Sequence, residues 1–124
     1  MRPLLSVSGL SVEYGNVRAV DHVDLDVNEG QLVGLIGPNG AGKTSLIDAI
    51  TGFAQSSGTV HLAGADISGM APHERCRRGL ARTWQSLELF DGLTVRENLT
   101  VAAQRQSLTG FLGDLVRPGR RRTD

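Results

Sequence analysis

Eight consecutive residues, Gly37-Pro38-Asn39-Gly40-Ala41-Gly42-Lys43-Thr44, constrain this chain more than anything else in it. They satisfy G-x-x-x-x-G-K-[ST] at every fixed position. Glycines at 37, 40 and 42 are expected to take positive φ values and let the backbone wrap closely around a polyphosphate. Pro38, Asn39 and Ala41 complete the loop, whose N–H groups form an anion-binding nest reinforced by the start of the following helix. Lys43 can reach the β- and γ-phosphates as a point charge. The Thr44 hydroxyl suits Mg2+, and Ser45 can donate near the α-phosphate. At average residue usage, a chance match in a chain this long is about a one-in-a-hundred event. The flanks lower that further. Gln31-Leu32-Val33-Gly34-Leu35-Ile36 is nearly continuous in apolar character and reads as a strand covered on both faces, as in a parallel sheet. Leu46, Ile47 and Ile50 then recur at helical spacing, with Gly52 as the stop. The loop thus predicts nucleoside triphosphate binding, without choosing between ATP and GTP or between a transporter and a kinase.

Elsewhere the pattern alternates strands and short helices. Leu4 to Val7 is a β candidate ending at Gly9. Val17 to Val27 alternates near its end, with Val23, Leu25 and Val27 apolar and Asp24 and Asp26 polar, which predicts a strand with one buried face. Asn28-Glu29-Gly30 supplies turn chemistry of the kind that joins a hairpin. Thr59 to Leu62 is a further strand, and Leu80 to Trp84 is another candidate. Pro72 to Arg78 reads as a helix with proline in its first turn and Arg75, Arg77 and Arg78 near its end. Thr94-Val95-Arg96-Glu97 fits a capping box opening a helix towards Gln104.

The chain of 124 residues suits one small domain, and its 13 basic and 13 acidic residues cancel, which argues against a polybasic nucleic-acid binder. Lys43 is the single lysine among those bases, and it falls inside the sharpest motif. No apolar run approaches the roughly 20 residues of a membrane helix. The lone Cys76 excludes an internal disulfide and fits a reducing compartment. His22, His61 and His73 share no metal-ligand spacing and are expected at the surface.

Several separate segments between residues 4 and 105 together resemble the ATP-binding subunits of ABC transporters. GPNGAGKTSL has the form usual in that family. Leu10-Ser11-Val12-Glu13-Tyr14-Gly15 resembles its adenine loop, with Tyr14 at the position that stacks under the base. Base–aromatic stacking is typically worth about 1–3 kcal/mol. Ala81-Arg82-Thr83-Trp84-Gln85 is similar to the family's Q-loop, where the Gln85 amide would meet Mg2+ or the attacking water. Leu89 to Leu99, ending TVRENL, matches the segment that opens the next helix. The stretch GLARTWQSLELFDGLTVRENLTVAAQ is similar to the ATPases of branched-chain amino-acid importers, which usually carry Phe where Trp84 stands. Importers of lipopolysaccharide, urea or other polar solutes share parts of this pattern.

The resemblance implies an α/β fold of the P-loop NTPase (ABC ATPase) class: its N-terminal part, with an antiparallel β subdomain, truncated before the helical subdomain. Residues 1–106 would form a partial ATP-binding domain. Residues 107–124, including Thr109 to Leu115 and Arg120-Arg121-Arg122, would be an insertion and a disordered tail. The implied cofactors are ATP and Mg2+, with Lys43 and Gln85 as catalytic groups and Thr44 and Gln85 at the metal. The implied partners are transmembrane permease subunits and a second ATP-binding subunit, with no nucleic acid, at the cytoplasmic face of the membrane.

No LSGGQ-like signature, Walker B Asp-Glu strand or histidine switch occurs in the sequence. Hydrolysis by this chain alone is therefore not expected, since no general base or trans clamp is evident. The strands flanking Gln31–Ile36 would, by the same resemblance, come from the missing half, so apolar surface should be exposed and the isolated chain marginally stable. The alternative is a non-catalytic nucleotide-binding remnant or interaction fragment. A small kinase or GTPase is disfavoured, because no Asn-Lys-x-Asp segment follows the loop. A DNA-repair or chromosome-organising ATPase is disfavoured too, as no zinc module or coiled coil separates Thr44 from Gln85.

Overall fold

The computed structural model describes residues 2–85 and 89–103. The chain divides into two compact units, Met1–Thr83 and Trp84–Asp124. In the first, β1 (Leu5–Tyr14), β2 (Val17–Val27), β3 (Ser57–Leu62) and β4 (Ala65–Asp66) form one sheet in the order β2-β1-β3-β4. Every pairing is antiparallel. Helices α1 (Lys43–Thr51) and α2 (Pro72–Arg77) belong to the same unit. The core joins Val7, Leu10, Val12, Val20 and Val60 of the sheet to Leu46, Ala49 and Ile50 of α1, with Ile67 closing it.

β2 occupies the predicted residues. β1 does not stop at Gly9 but runs on to Tyr14. Strict alternation from Val7 would bury Gly9 and expose Leu10. Gly9 instead takes φ +58°, and the register slips by one residue between Val7 and Leu10 against β2 and between Ser8 and Ser11 against β3. This bulge returns Leu10 and Val12 to the face that Val7 buries. A second irregularity on β2 sits at His22, φ +47°, whose N–H donates to the buried Ser11 hydroxyl at 2.8 Å. Gly15 and Asn16 are the two-residue loop between β1 and β2.

The predicted strand at Gln31–Ile36 is not formed. These residues carry no regular structure, and Leu32 and Ile36 are 97% and 96% exposed. Asn28-Glu29-Gly30 is a turn, with Gln31 N–H donating to Asn28 O at 3.1 Å, but it leads to no hairpin partner. The reason is ladder pairing. Among the described residues no strand lies alongside 31–36, so no ladder pairs its N–H and C=O groups. Leu80–Trp84 is likewise no strand.

Helix α1 follows its sequence pattern and ends at Gly52, whose N–H donates to Ala49 O at 3.2 Å. Its buried face is Leu46, Ala49 and Ile50, whereas Ile47, expected on that face, is partly exposed. Helix α2 starts with Pro72, and the Glu74 carboxylate accepts from Ala71 N–H at 2.8 Å.

In the second unit, α3 (Val95–Ala103) opens with the expected capping box. Thr94 N–H and Thr94 Oγ1 donate to Glu97 Oε2 at 2.7 and 2.8 Å, and Glu97 N–H returns to Thr94 Oγ1 at 3.3 Å. These bonds hold the Glu97 carboxyl below its ordinary range, the backbone bond from Thr94 first and its hydroxyl second. Residues 107–124, expected to be an insertion and tail, lie outside the described residues.

Candidate nucleotide-binding site

The phosphate loop runs from the irregular approach at 31–36 into the first turn of α1. Gly42 is the N-cap of that helix, with φ +94° and ψ 8° in the left-handed region. A Cβ there would collide with Ala19 O of β2, so only glycine fits both the dihedral and the space. Gly40 also takes a positive φ, +84°. Gly37 does not, contrary to expectation. A Cβ there would meet Ala41 Cβ at 3.4 Å and Lys43 Nζ at 3.9 Å, ordinary van der Waals contacts, so neither dihedral nor space demands glycine at this position.

Lys43 Nζ donates to Gly37 O and, at 2.7 Å, to Pro38 O. The single ammonium of the loop is thus curled onto the loop's own carbonyls. Ala41 N–H closes the turn on Pro38 O at 3.2 Å, and Leu46 N–H reaches Gly42 O at 2.9 Å. No side chain caps the start of α1, and its first turn holds no acidic residue. Its leading N–H groups and the positive end of the helix dipole are therefore available to an anion. Thr44 is exposed and Ser45 half-buried on that first turn, where hydroxyls can reach phosphate or a bound cation.

A cavity of about 220 Å³ flanks the loop, between Ala19, Val20 and Asp21 of β2 and Ile36, Gly42 and Lys43. It is smaller than the roughly 300–1,000 Å³ of typical ligand pockets, so a whole nucleotide would extend beyond it. Asp21 brings a carboxylate to this rim. Its charge is offset locally, for Asp21 Oδ1 pairs with His22 Nδ1 at 2.6 Å and accepts from Arg18 Nη1 at 3.1 Å. These contacts, His22 first, lower the Asp21 pKa. Arg18 also donates to Glu13 Oε1 at 2.9 Å, the contact that most raises its own pKa.

The structure gathers Gly37 to Ser45 into one turn and helix start. Tyr14 stands half-exposed at the end of β1, paired with Val17 across the hairpin, and is not among the residues lining the 220 Å³ cavity. Gln85 lies in the second unit, exposed in a bend.

Two arginines behind the loop escaped the sequence reading. Arg75, one of the three cations expected near the end of α2, is only 4% exposed. Its guanidinium donates to Met70 O at 2.9 Å and Ser68 O at 2.7 Å. It also reaches Ala49 O and Ile50 O, at 2.9 and 2.7 Å, two carbonyls in the last turn of α1. Burial lowers its pKa, against the raising effect of Asp66. Arg82 forms an ion pair with Asp48 of α1, reaches Thr51 Oγ1 at 3.4 Å, and lies 5.8 Å from the Phe53 ring centroid.

The profile of the ABC transporter family matches residues 20–122, most of the chain. The chain belongs to the ABC transporter family. It is 45% identical over 99% of its length to BraF of Pseudomonas aeruginosa, a high-affinity branched-chain amino acid transport ATP-binding protein. It is 43% identical over 94% of its length to LivG of Escherichia coli strain K12, described in the same words. It covers 49% and 46% of those two proteins, so the chain spans about half the length of the curated relatives it matches. Among solved structures it is similar to the ADP conformation of MJ1267, an ATP-binding cassette of an ABC transporter. That match has a TM-score of 0.73 and 30% identity, and covers 98% of this chain and 49% of the other. The fold is accordingly that of the N-terminal part of an ABC ATPase cassette. Among the described residues no helix is long and apolar enough to cross a membrane.

Proposed function

We propose that this chain binds Mg-ATP through residues 37–45, as the phosphate-holding part of an ATP-binding subunit of an importer, most consistent with branched-chain amino acids as the solute. The observation that carries the reading is Lys43, whose ammonium already rests at the mouth of a loop entering an uncapped helix through left-handed Gly42. On phosphate binding Lys43 would exchange the Gly37 and Pro38 carbonyls for phosphate oxygens. The amides around Gly40 and Gly42 would hold the β-phosphate, with Asn39 and Ala41 shaping the turn. The Thr44 hydroxyl would face the metal and Ser45 the α-phosphate. The donor set fits this group, since hydroxyl and amide oxygens suit Mg2+, which keeps most of its waters. Mg2+ would neutralise charge between the terminal phosphates.

Tyr14 is proposed to stack on adenine, and Gln85 to contact the metal or the attacking water. Coupling to permease subunits, a second ATP-binding subunit and the cytoplasmic membrane face are proposed from the named relatives. No turnover by this chain alone is expected, because the described residues offer no carboxylate base within the loop.

Calorimetric titration of the chain with Mg-ATP tests the reading. Lys43→Ala should abolish measurable binding, and Tyr14→Ala should weaken ATP by about 1–3 kcal/mol while leaving inorganic triphosphate unchanged. Equal losses for both ligands would remove Tyr14 from the site. Unaltered ATP binding in Lys43→Ala would remove the loop.

A further inference from the structure

The β1–β2 ladder carries an irregularity close to the phosphate loop. Val12 pairs with Val20, but Glu13, the next residue along, pairs with Arg18, so Ala19 has no partner in the ladder. This is a bulge of one extra residue on β2, a device that bends a strand and re-aims it towards a neighbour. Here the neighbour is Gly42. A Cβ on Gly42 would stand 2.2 Å from Ala19 O and 3.3 Å from Ala19 C, so the unpaired residue turns its carbonyl onto the N-cap of α1. Val17, two residues before Ala19 and about 7 Å along the strand, is the cross-strand partner of Tyr14. Alternation also places Tyr14 on the face of Val12, the face that α1 covers. The bulge therefore sets how far, and on which side, the end of the hairpin stands from the loop.

One side chain spans it. Arg18 Nε and Nη2 reach Glu13 Oε1 at 2.9 and 2.8 Å, and Arg18 Nη1 donates to Asp21 Oδ1 at 3.1 Å. The two carboxylates flank Ala19, one across the ladder beside Tyr14, the other two residues beyond the bulge. Asp21 lines the same cavity as Gly42 and Lys43. All three side chains are more than half exposed, and ion pairs of that kind add little to global stability. The end of a hairpin opens at small cost, however, so a weak brace is enough to fix its local register.

We propose that Arg18, by bracing the bulge at Ala19, sets the spacing between Tyr14 and the phosphate loop, so that base and triphosphate are held together. This deepens the nucleotide-binding reading above and rests on it. Arg18 is a positioning residue and touches no nucleotide, since alternation puts it and its partner Glu13 on the sheet face opposite Val12 and Val20.

Calorimetry of the full chain with Mg-ATP and, separately, with inorganic triphosphate and Mg2+ tests this, because triphosphate engages the loop alone. Arg18→Met keeps the aliphatic stem and removes every donor. It should weaken Mg-ATP about fivefold and leave triphosphate within about twofold, a size usual for coupling between neighbouring groups. In a Tyr14→Ala background the same change should have no further effect on Mg-ATP, since the spacing to an absent ring does not matter. Glu13→Ala, which cuts the brace at its other end, should repeat the pattern. A parallel loss of both ligands overturns the proposal, because it would mean that Arg18 serves the fold or the general field. Unchanged Mg-ATP binding in either variant also overturns it, as does an Arg18→Met loss that persists without Tyr14. A wild-type chain that binds triphosphate as tightly as Mg-ATP overturns this proposal and leaves the loop assignment standing. A wild-type chain that binds neither overturns the loop assignment and takes this one with it.

Discussion

Val17–Val27 and Gln31–Ile36 both read as strands, and only the first is one. β2 finds β1 across a two-residue loop, so its ladder closes locally and its alternating face packs on Leu46. Residues 31–36 are more apolar, yet Leu32 and Ile36 stand almost fully in water. Hydrophobicity makes a strand worth burying, but pairing makes it a strand. A segment suited to the middle of a parallel sheet depends entirely on distant neighbours, whereas a hairpin strand carries its neighbour beside it. Lys43 and the phosphate loop hang between these regions, rooted on α1 and approached by the unpaired run.

The sharpest test of this contrast deletes the same methyl groups on both sides. Leu10→Ala, at a fully buried position in β1, should cost about 3–5 kcal/mol in urea unfolding. Leu32→Ala should stay within about 0.5 kcal/mol. Comparable losses would mean that 31–36 is packed in solution and would break the comparison.

Arg75 comes next, since it secures the far end of the helix that roots the loop. Arg75→Met would strip the guanidinium from four carbonyls, of which Ala49 O keeps the Gly52 N–H, for a loss of about 2–3 kcal/mol by the same measurement. A near-neutral result would mean that methionine packs there and water replaces the guanidinium. Gly42→Ala forces a left-handed alanine against Ala19 O, which should cost about 1–2 kcal/mol and weaken Mg-ATP more than it weakens folding. A parallel loss of both would show that the hairpin and the loop unfold as one.

The smallest effect belongs to α3, whose start is as local as the β1–β2 turn. Glu97 titrates lower in the folded chain than in the unfolded one. Its capping contribution is therefore complete above the ordinary glutamate pKa and disappears as pH falls through the lowered folded value. Helical circular dichroism should decline over that acid window, and Glu97→Gln should flatten the decline. A wild-type profile without it would remove the capping box.

What could be read in advance follows the same divide between local and distant partners. β2, α1 and the Thr94–Glu97 box were legible because period, glycine stop and capping chemistry act within a few residues. The loop was legible for the same reason, although Gly37 does not take the positive φ expected of it. Gly9 hid the length of β1, since a bulge resets the alternation that pattern reading relies on. Arg75 looked like its neighbours Arg77 and Arg78, and nothing within α2 announced the carbonyls 25 positions away.

The order of residues by itself determined the phosphate loop, the helix behind it and the family they belong to, because those depend on short-range backbone geometry. Tertiary structure alone decided which apolar run became a strand, which arginine was buried and what Asp48 holds. Each of those is a choice of partner far along the chain, and the free energy of burying a hydrogen-bonding group exists only once that partner is in place.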